Sequence, residues 1–126
     1  MATWKDLARD NRLAANETFV NGRWRTCISR AYFSIYSAAT SALVQRGVTM
    51  PAGRGNPRHT RLPNLIGHYL TGTSHPLRWQ LAGVIEKLYK LRLVADYVPQ
   101  VSVEERDARI ALGLMNQGFR CMVKRP

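Results

Sequence analysis

Ser29-Arg-Ala-Tyr-Phe-Ser-Ile-Tyr-Ser-Ala-Ala-Thr-Ser-Ala-Leu43 reads as the middle of one long helix, and its pattern decides the fold class. Trp24, Cys27, Ile28, Ala31, Tyr32, Ile35, Ala39, Ala42 and Leu43 recur mostly at three- and four-residue steps. That apolar face is too wide for a helix resting on a single neighbour, so several other helices must pack around it. Ala31, Ser34, Ala38 and Ser41 add a stripe of small side chains along which another backbone can approach closely. The helix is expected over about residues 23–46, with Gly47 closing it.

Upstream, Thr3-Trp-Lys-Asp6 resembles a capping box, and Trp4, Leu7, Ala8, Ala15 and Phe19 continue a helical face to Asn21-Gly22. Downstream, residues 47–57 hold two prolines and three glycines and read as an irregular loop. A shorter helix follows over about 58–70, with Pro63 in its first turns and Gly72 as terminator. Pro76 opens the next, where Leu77, Leu81, Val84, Leu88, Leu91 and Ala95 form a seam that wants a facing helix, within the chain or across a dimer. Val98-Pro99 stops it. The last helix is expected to start at a capping box, Ser102-Val-Glu-Glu105, and to turn Val103, Ile110, Leu114, Phe119 and Met122 inward. Its acidic first turn and the basic Arg120, Lys124 and Arg125 at its end suit the helix dipole. No repeat and no strand pattern interrupts this reading. The expectation is an all-α, five-helix up-down bundle, one domain over residues 1–126.

The net charge of +11 is unevenly distributed. No acidic residue stands between Glu17 and Glu86, a stretch that carries Arg23, Arg25, Arg30, Arg46, Arg54, Arg58, Arg61 and Arg78. A field of that sign attracts polyanions, and the planar guanidinium fork suits phosphate oxygens. An acidic protein partner would meet the same charge. Cys27 and Cys121 fall inside helical patterns without Cys-x-x-Cys spacing, which suggests buried reduced thiols in a reducing, cytoplasmic setting. No apolar run approaches the length of a membrane span, so no membrane partner is expected.

Three segments in register carry a family resemblance. The aromatic pair followed by small residues and a leucine, in residues 29–43, resembles the signature of the HEPN domain family. Leu88-Tyr-Lys-Leu-Arg-Leu-Val-Ala-Asp-Tyr97 is similar to the family's arginine-centred segment, and Arg58-His59-Thr60 to a basic-histidine element before the third helix. The resemblance implies a bundle that pairs as a homodimer, with the fourth helices near a shared cleft. It also implies RNA or a nucleotide as ligand, and a toxin–antitoxin or defence setting beside a nucleotidyltransferase-type partner. Active members are metal-independent endoribonucleases carrying an arginine, a short spacer and a histidine; others are non-catalytic. Arg92 matches the motif arginine, but Tyr97 stands five residues later where the histidine belongs, and Pro99 stands where some members have a modifiable tyrosine.

The chemistry leaves both readings open. Metal-free RNA cleavage needs a base for the 2′-hydroxyl and a cation against the charge on the phosphorane. Arg92 supplies the cation. Tyr97, with an ordinary pKa of about 10, is a poor base near neutrality, though its phenol can bond a phosphate or stack on a base. His59 is the better proton carrier if it folds over the Arg92 cleft. The candidate catalytic residues are therefore Arg92, Tyr97 and His59, and the candidate nucleic-acid contacts Arg54, Arg58, Arg61 and Arg92. The bland alternative is that Arg92 pairs with Asp96 four residues on while Tyr97 packs at the helix end. Arg54 with His59, and Arg61 with His68, show an arginine–spacer–histidine order outside the motif helix. His59, His68 and His75 lack a His-Glu-x-x-His arrangement, so no metal site and no cofactor are expected.

Overall fold

In a computed structural model, which describes residues 1–50 and 55–123, the chain forms five helices. They are α1 (Trp4–Val20), α2 (Trp24–Gln45), α3 (Leu62–Tyr69), α4 (His75–Tyr97) and α5 (Glu105–Met122), and no strand occurs among the described residues. Helix α2 touches all four others; α3 and α5 pack on α4, and α5 also meets α1. The wide apolar face of α2 is thereby consumed inside the chain. Ile28, Ala31, Tyr32, Ile35, Ala39 and Leu43 are buried with Leu62, Ile66, Leu81, Ile85, Leu88 and Met115.

Local chemistry sets the helix ends. The Thr3–Asp6 capping box closes the start of α1 as expected, and the Ser74 hydroxyl accepts the Leu77 amide at the start of α4, ahead of Pro76. Gly22 and Gly47, at φ +73° and +79°, take the left-handed conformation that ends α1 and α2. The third helix is shorter than its sequence pattern suggests. Residues 59–61 form a turn in which the Arg61 and Leu62 amides donate to the Arg58 carbonyl, and the helix begins at Leu62 with Pro63 in its first turn.

Helix α5 corrects two expectations. Its capping box is Glu104 with Asp107, not Ser102 with Glu105. Its buried residues are Ala108, Ala111, Met115, Gly118 and Cys121, whereas Ile110 is 50% exposed. The expected Val103, Leu114, Phe119 and Met122 flank this line and are only partly buried. Close approach is the reason. A Cβ on Gly118 would stand 2.9 Å from Ile35 Cδ1, so α5 sits on α2 through its smallest side chains. The α4 seam likewise closes within the chain, with Leu81, Val84, Leu88 and Ala95 buried.

Three arginines from the acid-free stretch hold helix ends together. Arg25 of α2 donates to the carbonyls of Val94, Ala95, Val98, Pro99 and Val101, satisfying the C-terminal turn of α4 and the chain beyond it. Arg46 donates to the Ala42 and Thr71 carbonyls, and Arg78 to those of Gly67 and Thr73. Each places a cation where the carbonyls are unsatisfied and the helix dipole is negative.

The facing of α5 is testable by paired truncations. Met115→Ala is expected to lower the free energy of unfolding in urea by roughly 2–5 kcal/mol, as a fully buried side chain lost from a packed core does. Ile110→Ala is expected to change it by no more than about 0.5 kcal/mol. Equal costs at the two positions would refute this facing.

Candidate nucleic-acid interface

The C-terminal turn of α4 carries a small electrostatic assembly. Arg92 Nε donates to Asp96 Oδ2 at 2.8 Å, and a terminal Arg92 nitrogen, NH2, donates to the Tyr97 hydroxyl at 3.2 Å. The guanidinium also lies 4.9 Å from the Phe33 ring centroid and 5.1 Å from that of Tyr97, within cation–π range of both. Ser29 donates to the same Asp96 oxygen at 3.1 Å, so α2 orients the carboxylate that orients the arginine. The Arg92 side chain is only 13% exposed. Among the described residues its NH1 group makes no hydrogen bond. The arginine is thus ordered in advance and keeps one pair of N–H donors for an incoming oxygen.

The bland alternative holds in part. Arg92 pairs with Asp96 as helical spacing allows, but Tyr97 is 64% exposed and bonds Arg92 rather than packing away. His59 comes close through an aromatic intermediary. Its ring lies 5.9 Å from Phe33, the same ring that meets Arg92. It stacks on Tyr89 with centroids 5.6 Å apart and lies 4.8 Å from Tyr36. Its Nδ1 shares a 2.6 Å hydrogen bond with the Tyr32 hydroxyl. Burial is the main cause that pushes the Tyr32 phenol well above its ordinary pKa, with the neighbouring Tyr36 and Tyr89 adding to it and Arg92 opposing it. That phenol keeps its proton near neutrality and holds the imidazole in place.

The other candidates scatter. Arg58 and Arg61 are exposed, and Arg61 lines a separate depression with Arg46, Leu65 and Tyr69. Arg54 lies outside the described residues, as do Lys124 and Arg125. His68 meets the Trp79 ring edge-on at 5.2 Å, in an exposed cluster where Trp79 Nε1 donates to His75 Nε2 at 3.1 Å. No contact among the described residues links Arg58, Arg61 or His68 to Arg92. Arg30, expected only as one of the arginines of the acid-free stretch, also belongs to this face. Its guanidinium stands 5.6 Å from the Phe33 centroid and donates to Asn11 Oδ1 at 3.0 Å, beside a depression bounded by α1, α2 and residues 56–59. Arginine three residues before a half-exposed phenylalanine, on one helix face, was the available signal.

Among the described residues no group of three His, Cys, Asp or Glu side chains is placed to hold a metal ion. No helix there is long and apolar enough to cross a membrane. Cys27 and Cys121 are free and buried.

Comparison with known proteins gives two findings. The HEPN domain family profile matches residues 1–125. The "Putative toxin MJ0605" of Methanocaldococcus jannaschii is 28% identical over 101 residues, covering 79% of this chain and 69% of that protein. No solved structure matches.

Burial pushes the Cys27 thiol up to about 11, against a small lowering by the Thr18 hydrogen bond, and pushes the Cys121 thiol up as well. Neither is a ready nucleophile. Both thiols are expected to resist iodoacetamide in the native protein at neutral pH and to react once guanidinium unfolds it. Native labelling of Cys27 should accelerate only as the pH climbs toward the raised value. Rapid alkylation of folded protein at pH 7 would reverse this assignment.

Proposed function

The chain belongs to the HEPN domain family, and on that premise we propose that it binds RNA, or a nucleotide, through the basic face centred on Arg92, as a homodimer of the toxin–antitoxin kind. One observation carries the reading. Arg92 is clamped between the Phe33 and Tyr97 rings with NH1 donors left over, so a phosphate oxygen meets a cation whose side-chain entropy is already spent. The exposed Tyr97 ring beside it offers a surface for a base. A second copy would pair along the outer side of α4, where Trp79 is exposed, because the leucine seam is used inside the chain.

The geometry favours binding over cleavage. A phenol is a poor base near neutrality, and Asp96 offsets much of the positive charge that a phosphorane would need. The endoribonuclease reading keeps one supporting observation, the contact of both His59 and Arg92 with Phe33. Docking on an acidic protein, such as a nucleotidyltransferase-type antitoxin, is the reading to which failure of RNA binding would pass.

Binding isotherms on a short single-stranded RNA at several salt concentrations test the proposal. Arg92→Ala is expected to weaken binding and to reduce the log–log salt slope by about 1, while the circular dichroism spectrum stays that of the wild type. Asp96→Asn, which frees the guanidinium of its counter-charge, is expected to tighten binding. Unchanged affinity in both variants removes Arg92 from the interface. Metal-free cleavage that disappears in both Arg92→Ala and His59→Ala would establish the nuclease instead.

A further inference from the structure

The depression beside Arg30 has the make-up of a nucleobase site. Its volume is near 320 Å³, at the lower end of the range for small-molecule sites. That size suits one base with its sugar; a duplex or a partner helix needs a longer trough. Its walls include the rings of Trp4, Phe33, Tyr36 and His59, and its polar side chains are Asn11, Arg30, Ser37 and Asn56. No carboxylate lines it, which disfavours a cationic ligand.

The hydrogen-bond inventory sharpens this. Asn56 Nδ2 donates to the Tyr36 hydroxyl at 2.8 Å, which fixes the amide and leaves its Oδ1 as an acceptor with no described partner. Arg30 spends one of its five N–H donors on Asn11 and, among the described residues, pairs with no carboxylate. A fixed acceptor and a planar multiple donor on an aromatic-walled depression match the donor-and-acceptor edge of a heterocyclic base, which is read by hydrogen bonds once it leaves a stack. Continuity with Arg92 supplies the rest. Arg30 and Arg92 lie 5.6 Å and 4.9 Å from the centroid of the same Phe33 ring.

We infer that the depression between α1, α2 and residues 56–59 docks an unpaired nucleobase of the strand whose phosphate meets Arg92. This rests on the RNA-binding reading and extends it to a substrate class, single-stranded RNA, with duplex excluded because a paired base cannot enter. Asn56 and Arg30 contact the base edge, and Phe33 separates the base position from the phosphate position.

The test uses one RNA decamer in three forms: single-stranded, annealed to its complement, and fully abasic. Wild-type protein is expected to bind the single strand ~10-fold or more tighter than the duplex or the abasic strand, the range that stacking of a base supplies. Asn56→Ala, which removes the acceptor, and Leu7→Trp, which fills the mouth from an exposed position, should remove that advantage and leave abasic affinity as it was. Neither residue touches Arg92, and matching melting curves would show both variants folded. Equal loss on both single strands, no loss on either, or a wild-type preference for duplex overturns the subsite. If no form of the decamer binds, the RNA reading itself fails, and nucleoside monophosphates against ribose 5-phosphate then decide the subsite alone. An Asn56-dependent preference for the base-bearing ligand supports it, and equal binding or none sinks it.

Discussion

Helix α2 buries most of its side chains among its neighbours, and the rest of the molecule follows from that. Four helices meet it, and alternating small and aromatic residues let them do so at different distances. Ala31, Ser34 and Ala39 give backbone proximity, while Tyr32, Ile35 and Tyr36 fill the space between helices. The same helix also carries Arg25, Ser29 and Phe33, which reach the C-terminal turn of α4. Packing and site geometry are therefore set by one element. A shift of α4 along α2 that spoiled the core would also separate Phe33 from Arg92.

Net charge alone overstates what is available to a ligand. Of the arginines in the acid-free stretch, Arg25, Arg46 and Arg78 are spent on backbone carbonyls at helix ends. Helix termini leave carbonyls that water or a donor must satisfy, and a guanidinium serves several at once. Stability and ligand attraction draw on the same residue type here, but the shares separate cleanly by position. Among the described residues, Arg30 of that stretch and Arg92 beyond it meet the Phe33 ring.

Legibility followed the length of the pattern. Helices α1, α2 and α4 were readable almost to the residue, because long apolar periodicity and caps at Thr3, Pro76, Gly22 and Gly47 agree. The start of α3 was not, since Arg58 to Arg61 form a turn that sequence cannot distinguish from a first helical turn. Helix α5 was misread for a physical reason. Size and hydropathy point large apolar residues inward, whereas close contact with α2 selects Ala108, Ala111 and Gly118 and leaves Ile110 at the surface. At the site, the Arg92–Asp96 pairing followed from helical spacing. The approach of His59 depended on the path of the loop before α3, and the pairing of Arg30 with Asn11 on how α1 crosses α2; neither is local in sequence.

Tyr97 in place of the family histidine changes more than a proton carrier. A histidine would add its own charge near Arg92 at mildly acidic pH. The phenol accepts from Arg92 and presents a ring to its guanidinium. The assembly thus sets one guanidinium against one carboxylate, and among the described residues one terminal N–H pair of Arg92 stays outside both hydrogen bonds. Ser29 steadies that carboxylate from α2, because its hydroxyl donates to Asp96 Oδ2. A guanidinium held by a carboxylate, a phenol and two rings is ordered before any ligand arrives, an arrangement that would suit reversible anion binding better than the development of charge in a transition state.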